Sequence, residues 1–298
     1  MSVPLQIVFL DRATFAPGIR FAADRIGSAT WREHAVSSRE QVAERARDAS
    51  ILVTNKAPIS VQVMEATSRL RLIAVAATGV DHIDLAAAQT RGVVVCNVPG
   101  YAMETVPEHV FGMLLMLRRN LHRYAATVGS GAWSRSEVFC LHDYPIHDLA
   151  GKIMGIVGSG TLGRAVGRIA QAFGMRVLYA ERKDAMTVRT GYTQFNEALS
   201  TADVLSLHVP LTPDTRGLIG RAELARMKPD AVLINCARGG VVDETALVEA
   251  LRAGHLGSAC VDVLETEPPP ADDPLLSANL PNLIITPHVA WASIEAQQ

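Results

Sequence analysis

Short apolar, β-rich runs alternate with segments of helical periodicity along most of the chain. Residues 7–10, 51–54, 72–76 and 93–97 are apolar on successive positions and bounded by turn residues. That is the pattern of parallel strands buried on both faces. A long apolar helix follows Pro99-Gly100 and runs through Val110, Leu114, Leu115 and Leu117. Pro107 and Glu108 suit its first turn, where proline loses no hydrogen bond and a carboxylate meets the positive end of the dipole. We read this helix as a connector. Residues 129–149 read as irregular. A second alternating series then predicts strands at 153–157, 176–179, 204–207, 231–235, 258–261 and 283–285. After Pro287 the chain is expected to turn back toward the first series. The prediction is an α/β protein of two doubly wound parallel-sheet domains, one of residues 1–100 with 287–298, the other of residues 101–286. No repeat of solenoid period and no low-complexity tract interrupts it.

Composition narrows the partners. The 298 residues are 49% hydrophobic and 19% charged, ample for two packed cores, and the formal net charge is −2. Such a balance lacks the basic field expected of a nucleic-acid or anionic-membrane partner and points to a small molecule. The apolar run from Leu5 to Leu10 is followed at once by Asp11 and preceded by no positive charge, so it reads as a strand rather than a secretory signal. No stretch is long enough to span a bilayer. Cys96, Cys140, Cys236 and Cys260 form no C-x-x-C pair, which disfavours zinc and a disulfide framework and fits a reducing cytoplasm.

The clearest chemical signal lies between the predicted strand 153–157 and a helical run from Leu162. Gly158-Ser159-Gly160-Thr161-Leu162-Gly163 is a G-x-G-x-x-G in the strand-to-helix setting that dinucleotide binding requires. The first glycine makes the turn, the second admits a pyrophosphate to the backbone, and the third lets helix pack on strand. The next strand delivers Glu181, where an acid accepts hydrogen bonds from an adenine ribose. Arg182 and Lys183 follow it. A carboxylate repels a 2′-phosphate and a guanidinium attracts one, so NAD is favoured and NADP stays open.

Three further residues, Arg238, Glu267 and His288, each follow a predicted strand at the edge where open α/β sheets bind ligands. Singly each has an ordinary structural explanation. With Gly158 to Gly163, they fall within a longer ordered set: His208-Val209-Pro210-Leu211-Thr212, Asn235-Cys236-Ala237-Arg238-Gly239-Gly240, Asp262-Val263, Glu267-Pro268 and Thr286-Pro287-His288. In this the sequence resembles the D-isomer-specific 2-hydroxyacid dehydrogenases, from about residue 5 to residue 293.

The resemblance implies a Rossmann NAD-binding domain and a flavodoxin-like substrate domain with the active site in a cleft between them. It implies reversible hydride transfer between NAD(P)H and a small 2-keto acid. Arg238 would bind the substrate carboxylate, His288 would be the acid/base, and Glu267 would hydrogen-bond His288. Asp262 would hold the nicotinamide carboxamide, and Thr161, Leu162, His208, Pro210, Cys236 and Ala237 would line the cofactor. The segment Ala76 to Asp81 is similar to the family loop whose backbone amides help hold the carboxylate, a role that falls to Thr78 and Gly79. The roles are chemically coherent. A guanidinium grips a carboxylate in bidentate fashion, and an imidazolium stabilised by a neighbouring carboxylate protonates the alkoxide that hydride arrival creates.

Trp291 in His288-Val289-Ala290-Trp291, and Phe139 to Asp143, resemble the glycerate dehydrogenase and hydroxypyruvate reductase branch. Two other readings remain open here: a non-catalytic NAD-responsive protein of corepressor type, which an intact Arg238, Glu267 and His288 set disfavours, and an unusual donor such as formate or phosphite. For formate, the family pairs a glutamine with the histidine where Glu267 stands. The resemblance also implies a homodimer, for which the apolar helix through Val110 and Leu117 would suit burial. Family members usually continue past the histidine motif into a helix that packs on the first domain, whereas this sequence ends at Gln298; weaker anchoring is the expectation.

Overall fold

The computed structural model describes residues 4–21 and 26–298. The chain divides into two compact units, Met1–Tyr101 with Ala292–Gln298, and Ala102–Trp291.

The first unit is a five-stranded parallel sheet of β1 (Gln6–Phe9), β2 (Thr30–Glu33), β3 (Ile51–Thr54), β4 (Leu72–Val75) and β5 (Val94–Cys96), in the order β2-β1-β3-β4-β5. β2 carries no apolar run, which is why hydrophobic pattern alone does not reveal it. It is an edge strand with Thr30, Arg32 and Glu33 exposed, tied to β1 by register Gln6 to Thr30. Val8, Leu10, Leu52, Ile73 and Val75 form the core with Val42, Val63 and Met64 from the covering helices.

The second unit opens with two helices, Thr105–Arg118 and Leu121–Gly129, and continues into six parallel strands. They are β6 (Ile153–Val157), β7 (Arg176–Ala180), β8 (Val204–Leu207), β9 (Val232–Asn235), β10 (Ser258–Val261) and β11 (Leu283–Ile285), in the order β11-β10-β9-β8-β6-β7. The order reverses between β6 and β8, the topological switch point at which such sheets bind ligands. β8 and β9 are buried along their whole length, and their sequences are apolar apart from the buried Ser206 and Asn235.

The helix Thr105–Arg118 begins just past the boundary between the units and lies wholly within the second, packing on β9, β10 and the helix Thr161–Ala172. Val106, Val110, Phe111, Met113, Leu114 and Leu117 are buried there, so the apolar face expected to meet a second copy is already covered by the same unit. With six large apolar side chains inside, the helix is held by core burial at roughly 1.5–3 kcal/mol per residue.

Candidate active site

All six strands of the second sheet deliver a sequence-predicted residue at their carboxyl ends. Gly158 follows β6, Glu181 follows β7, His208 follows β8, Asp262 follows β10, and Arg238 and His288 stand three residues beyond β9 and β11. Parallel strands share one direction, so these residues gather at one end of the sheet.

Gly158 has φ +96°, and a Cβ there would lie 2.4 Å from the His208 carbonyl oxygen. A side chain at Gly163 would meet the Gly158 carbonyl at 2.0 Å, so the helix Thr161–Ala172 sits on β6 only because this position is bare. Gly160 has no heavy atom within 4 Å of where a Cβ would be, and no side chain caps the helix that begins at Thr161. The loop therefore ends in an open cradle facing the positive end of a helix dipole.

Glu181 is buried and fully engaged. Its Oε2 accepts from Arg189 Nε at 2.6 Å and from the Arg189 backbone N–H at 3.1 Å, while Oε1 accepts from Arg189 Nη2 at 2.7 Å and from the Arg182 N–H at 2.9 Å. The Arg189 fork, aided by the Arg182 N–H, holds its carboxyl down to about 2. Arg182 and Lys183 are exposed, and Lys183 pairs with Glu223 at 3.0 Å.

At the end of β8, His208 donates its backbone N–H to Val157 at 2.7 Å and pairs Nε2 with Ser206 Oγ at 2.9 Å. Burial pushes its imidazole down to about 4, so it is neutral at physiological pH. Its buried Nδ1 has no hydrogen-bond partner among the described residues. Pro210 is exposed just beyond it. Burial, then the nearby Asp262 charge, raises the Cys236 thiol well above its ordinary value, so it is uncharged, and Ala237 beside it in the chain is buried.

Arg238 donates Nη1 to the Ala237 carbonyl at 2.7 Å, and Asn235 Nδ2 holds the Arg238 carbonyl at 3.0 Å. His288 Nδ1 lies 2.6 Å from Glu267 Oε2, and Glu267 Oε1 accepts the Leu264 N–H at 2.9 Å. A carboxylate only accepts, so Nδ1 carries the shared proton and Nε2 is the nitrogen available for proton exchange. His288 adopts φ +54°, an uncommon conformation for a residue with a side chain. Asp262 holds it there. Its carboxylate takes the Val289 and Ala290 N–H groups at 2.9 Å each and the Thr286 hydroxyl at 2.5 Å. His109 Nε2 joins Thr286 Oγ1 at 3.0 Å. Trp291 Nε1 donates to the His288 carbonyl at 3.0 Å, giving that tryptophan a clear part in fixing the loop.

Thr78 and Gly79 belong to the first unit, just past β4. Thr78 Oγ1 donates to the Val98 carbonyl at 2.9 Å, and Asn97 Nδ2 to the Thr78 carbonyl at 2.7 Å, so the loop is braced by the segment that follows β5.

Residues 111–290 match the family model of the D-isomer specific 2-hydroxyacid dehydrogenase NAD-binding domain. The chain belongs to this dehydrogenase family. It is 44% identical to a glycerate dehydrogenase of Methylorubrum extorquens, over 98% of this chain and 91% of that protein. It is 38% identical to a hydroxypyruvate reductase of Blautia hydrogenotrophica, over 88% of this chain and 82% of that protein. A crystal structure of a Thermus thermophilus protein superposes with a TM-score of 0.85 at 35% identity, covering 98% of this chain and 92% of that one.

As a member of the dehydrogenase family the chain uses a nicotinamide cofactor. The second unit fits one on its own geometry: the open position at Gly160, the uncapped helix start and the unpartnered His208 Nδ1 each leave room or a polar atom for it. Sequence reading did not single out Arg189, Tyr192 or His109. Arg189 lies eight positions past Glu181 with no motif to mark it, and His109 lies inside an apolar helix where only the fold puts it against Thr286.

Proposed function

We propose that this dehydrogenase reduces a short 2-keto acid, hydroxypyruvate or glyoxylate, to D-glycerate or glycolate, and catalyses the reverse oxidation. The observation that carries the reading is the 2.6 Å pair of His288 Nδ1 and Glu267, set beside the strand end that bears Arg238. Relatives named glycerate dehydrogenase and hydroxypyruvate reductase support the substrate class.

The bound nicotinamide supplies the hydride. Arg238 grips the substrate carboxylate through its guanidinium and so fixes the keto carbon in orientation. His288, with Nδ1 committed to Glu267, donates the Nε2 proton to the oxygen on which negative charge develops. In oxidation neutral His288 takes the hydroxyl proton back at the same atom, and Glu267 stabilises the imidazolium that results. Gly158, Gly160, Thr161, Leu162 and Gly163 hold the pyrophosphate, Glu181 and Arg182 border the adenine ribose, and His208, Pro210, Cys236, Ala237 and Asp262 border the rest of the cofactor. NAD is our first assignment, with NADP admitted by the cationic residues beside Glu181.

We also place the protein in the cytoplasm as a homodimer. The four cysteines are free, and among the described residues no helix is long and apolar enough to cross a membrane. Leu121, Val128, Trp133, Val138 and Phe139 expose apolar surface between the first helix of the second unit and β6, a segment suited to cover by a second copy. Sedimentation of the intact chain tests the assembly.

The deciding experiment follows NADH and NADPH oxidation with hydroxypyruvate, glyoxylate, pyruvate and phenylpyruvate, with H288A as control. Rapid turnover of hydroxypyruvate or glyoxylate that disappears in H288A is the expected result. No turnover of any keto acid by a chain that binds NADH overturns the proposal.

A further inference from the structure

The acid at the end of β7 is spoken for. A carboxylate offers about four lone-pair positions, and Glu181 has four donors on them, three from Arg189 and one from Arg182. A ribose diol that used Glu181 in the ordinary way would have to displace Arg189. The charge also differs from that of an isolated acid. Lys183 is committed to Glu223, so Glu181, Arg182 and Arg189 together sum to one positive charge at this corner.

Arg189 is built in rather than draped across the surface. Its guanidinium carbon lies 3.9 Å above the centre of the Tyr192 ring, and the Tyr192 hydroxyl lies 2.5 Å from Ser159 Oγ, inside the glycine loop. The strand end is closed by the Glu181 N–H to the Thr193 carbonyl and the Thr193 N–H to the Tyr179 carbonyl, both 2.8 Å. One connected set of side chains thus runs from the glycine loop through Tyr192 and Arg189 to Glu181. The Arg189 side chain nevertheless remains 56% exposed, against 4% for Glu181, so the cationic face is the one a ligand meets.

We propose that Arg189 is the specificity-determining residue of the cofactor site: by neutralising Glu181 and presenting its guanidinium there, it admits a 2′-phosphate, and the enzyme accepts NADPH as well as NADH. This rests on the second unit being the dinucleotide site. With Arg189 in place the 2′-phosphate meets a guanidinium, which binds phosphate through paired charge-assisted hydrogen bonds. Without Arg189 it meets a bare carboxylate.

The test is calorimetric titration of the full chain with NADH, 5′-AMP and adenosine 2′,5′-bisphosphate, for wild type, R189A and R189K. Wild type is expected to bind the two mononucleotides within about tenfold of each other. R189A is expected to weaken the bisphosphate on the order of 30-fold, the loss of a charge-assisted pair, while 5′-AMP is unchanged or tighter. R189K, which keeps the charge and loses the fork, falls between. A wild type that disfavours the bisphosphate by more than 100-fold, or a ratio of the two that R189A and R189K leave unchanged, overturns the role of Arg189 while NADH binding leaves the dinucleotide site standing. Failure of wild type to bind NADH or either mononucleotide overturns both.

Discussion

His288 donates its backbone N–H to the Asp262 carbonyl at 2.8 Å, and the Asp262 side chain takes the next two N–H groups of the same loop. A single buried aspartate thus fixes the backbone on which His288, the residue we propose as the acid/base, is mounted. The φ of +54° at His288 is uncommon for a residue with a Cβ and persists only where its surroundings over-determine it. We expect D262N to lower kcat by tenfold or more and to destabilise the second unit by about 3 kcal/mol, since it breaks a buried charged network. Steady-state kinetics together with urea unfolding check both. A variant with wild-type kcat would show that the loop holds itself.

The Glu267 contact makes a separate prediction. H288A is expected to lose about 10³-fold in kcat, the scale of a lost general acid. E267Q keeps the shape but no longer stabilises the imidazolium, and is expected to lose about 10-fold to 100-fold with little change in NADH affinity. Pre-steady-state measurement of hydride transfer separates this from slow product release.

Arg238 is expected to act on binding of the keto acid. R238A should raise KM about 100-fold or more, and R238K should recover only part of it, because an ammonium lacks the planar fork. NADH affinity measured by fluorescence should stay near wild type. If R238A instead spares KM, the carboxylate is held elsewhere.

Asp203 ties β8 to β6 and supplies a pH signature. Burial pushes its carboxyl up, yet the Lys228 ammonium at 2.8 Å, the Ile153 N–H at 2.7 Å and the charge of Lys152 outweigh it, leaving the group below its ordinary value. A depressed carboxylate contributes stability above its unfolded value near 4, and the contribution is lost as pH falls through the folded one. D203N should therefore be about 2 kcal/mol less stable than wild type near neutral pH. The gap should close below about pH 4. Unfolding at a series of pH values reads it directly, and a gap that widens in acid would contradict the sign.

Much of this was legible in the chain because buried parallel strands are written as continuous apolar runs. β4 and β6 were readable for that reason, and β8 and β9 despite the buried Ser206 and Asn235 they carry, whereas β2 was not, since Thr30, Arg32 and Glu33 face solvent on an edge. The glycine loop was readable because steric demand at Gly158 and Gly163 leaves no other residue type open. The helix Thr105–Arg118 misled because apolarity says that a face is covered, not by what. Arg189 and His109 act through partners that only tertiary structure supplies, Glu181 across a loop and Thr286 from a distant strand end. No local pattern distinguishes them from other basic or buried residues.

That Arg238, Asp262 and His288 follow three adjacent strands, β9, β10 and β11, has a consequence for how the sequence tolerates change. The sheet acts as a ruler, setting lateral spacing by interstrand hydrogen bonds whatever the length of the chain between. Residues added in the turn at Gly254, which feeds the opposite end of β10, would leave that spacing intact. One residue added between Val261 and Asp262 would shift the Asp262 clamp out of step with its strand. Lineages that lengthen this protein should therefore do so at the amino ends of the strands, and hold the carboxyl ends to a fixed count.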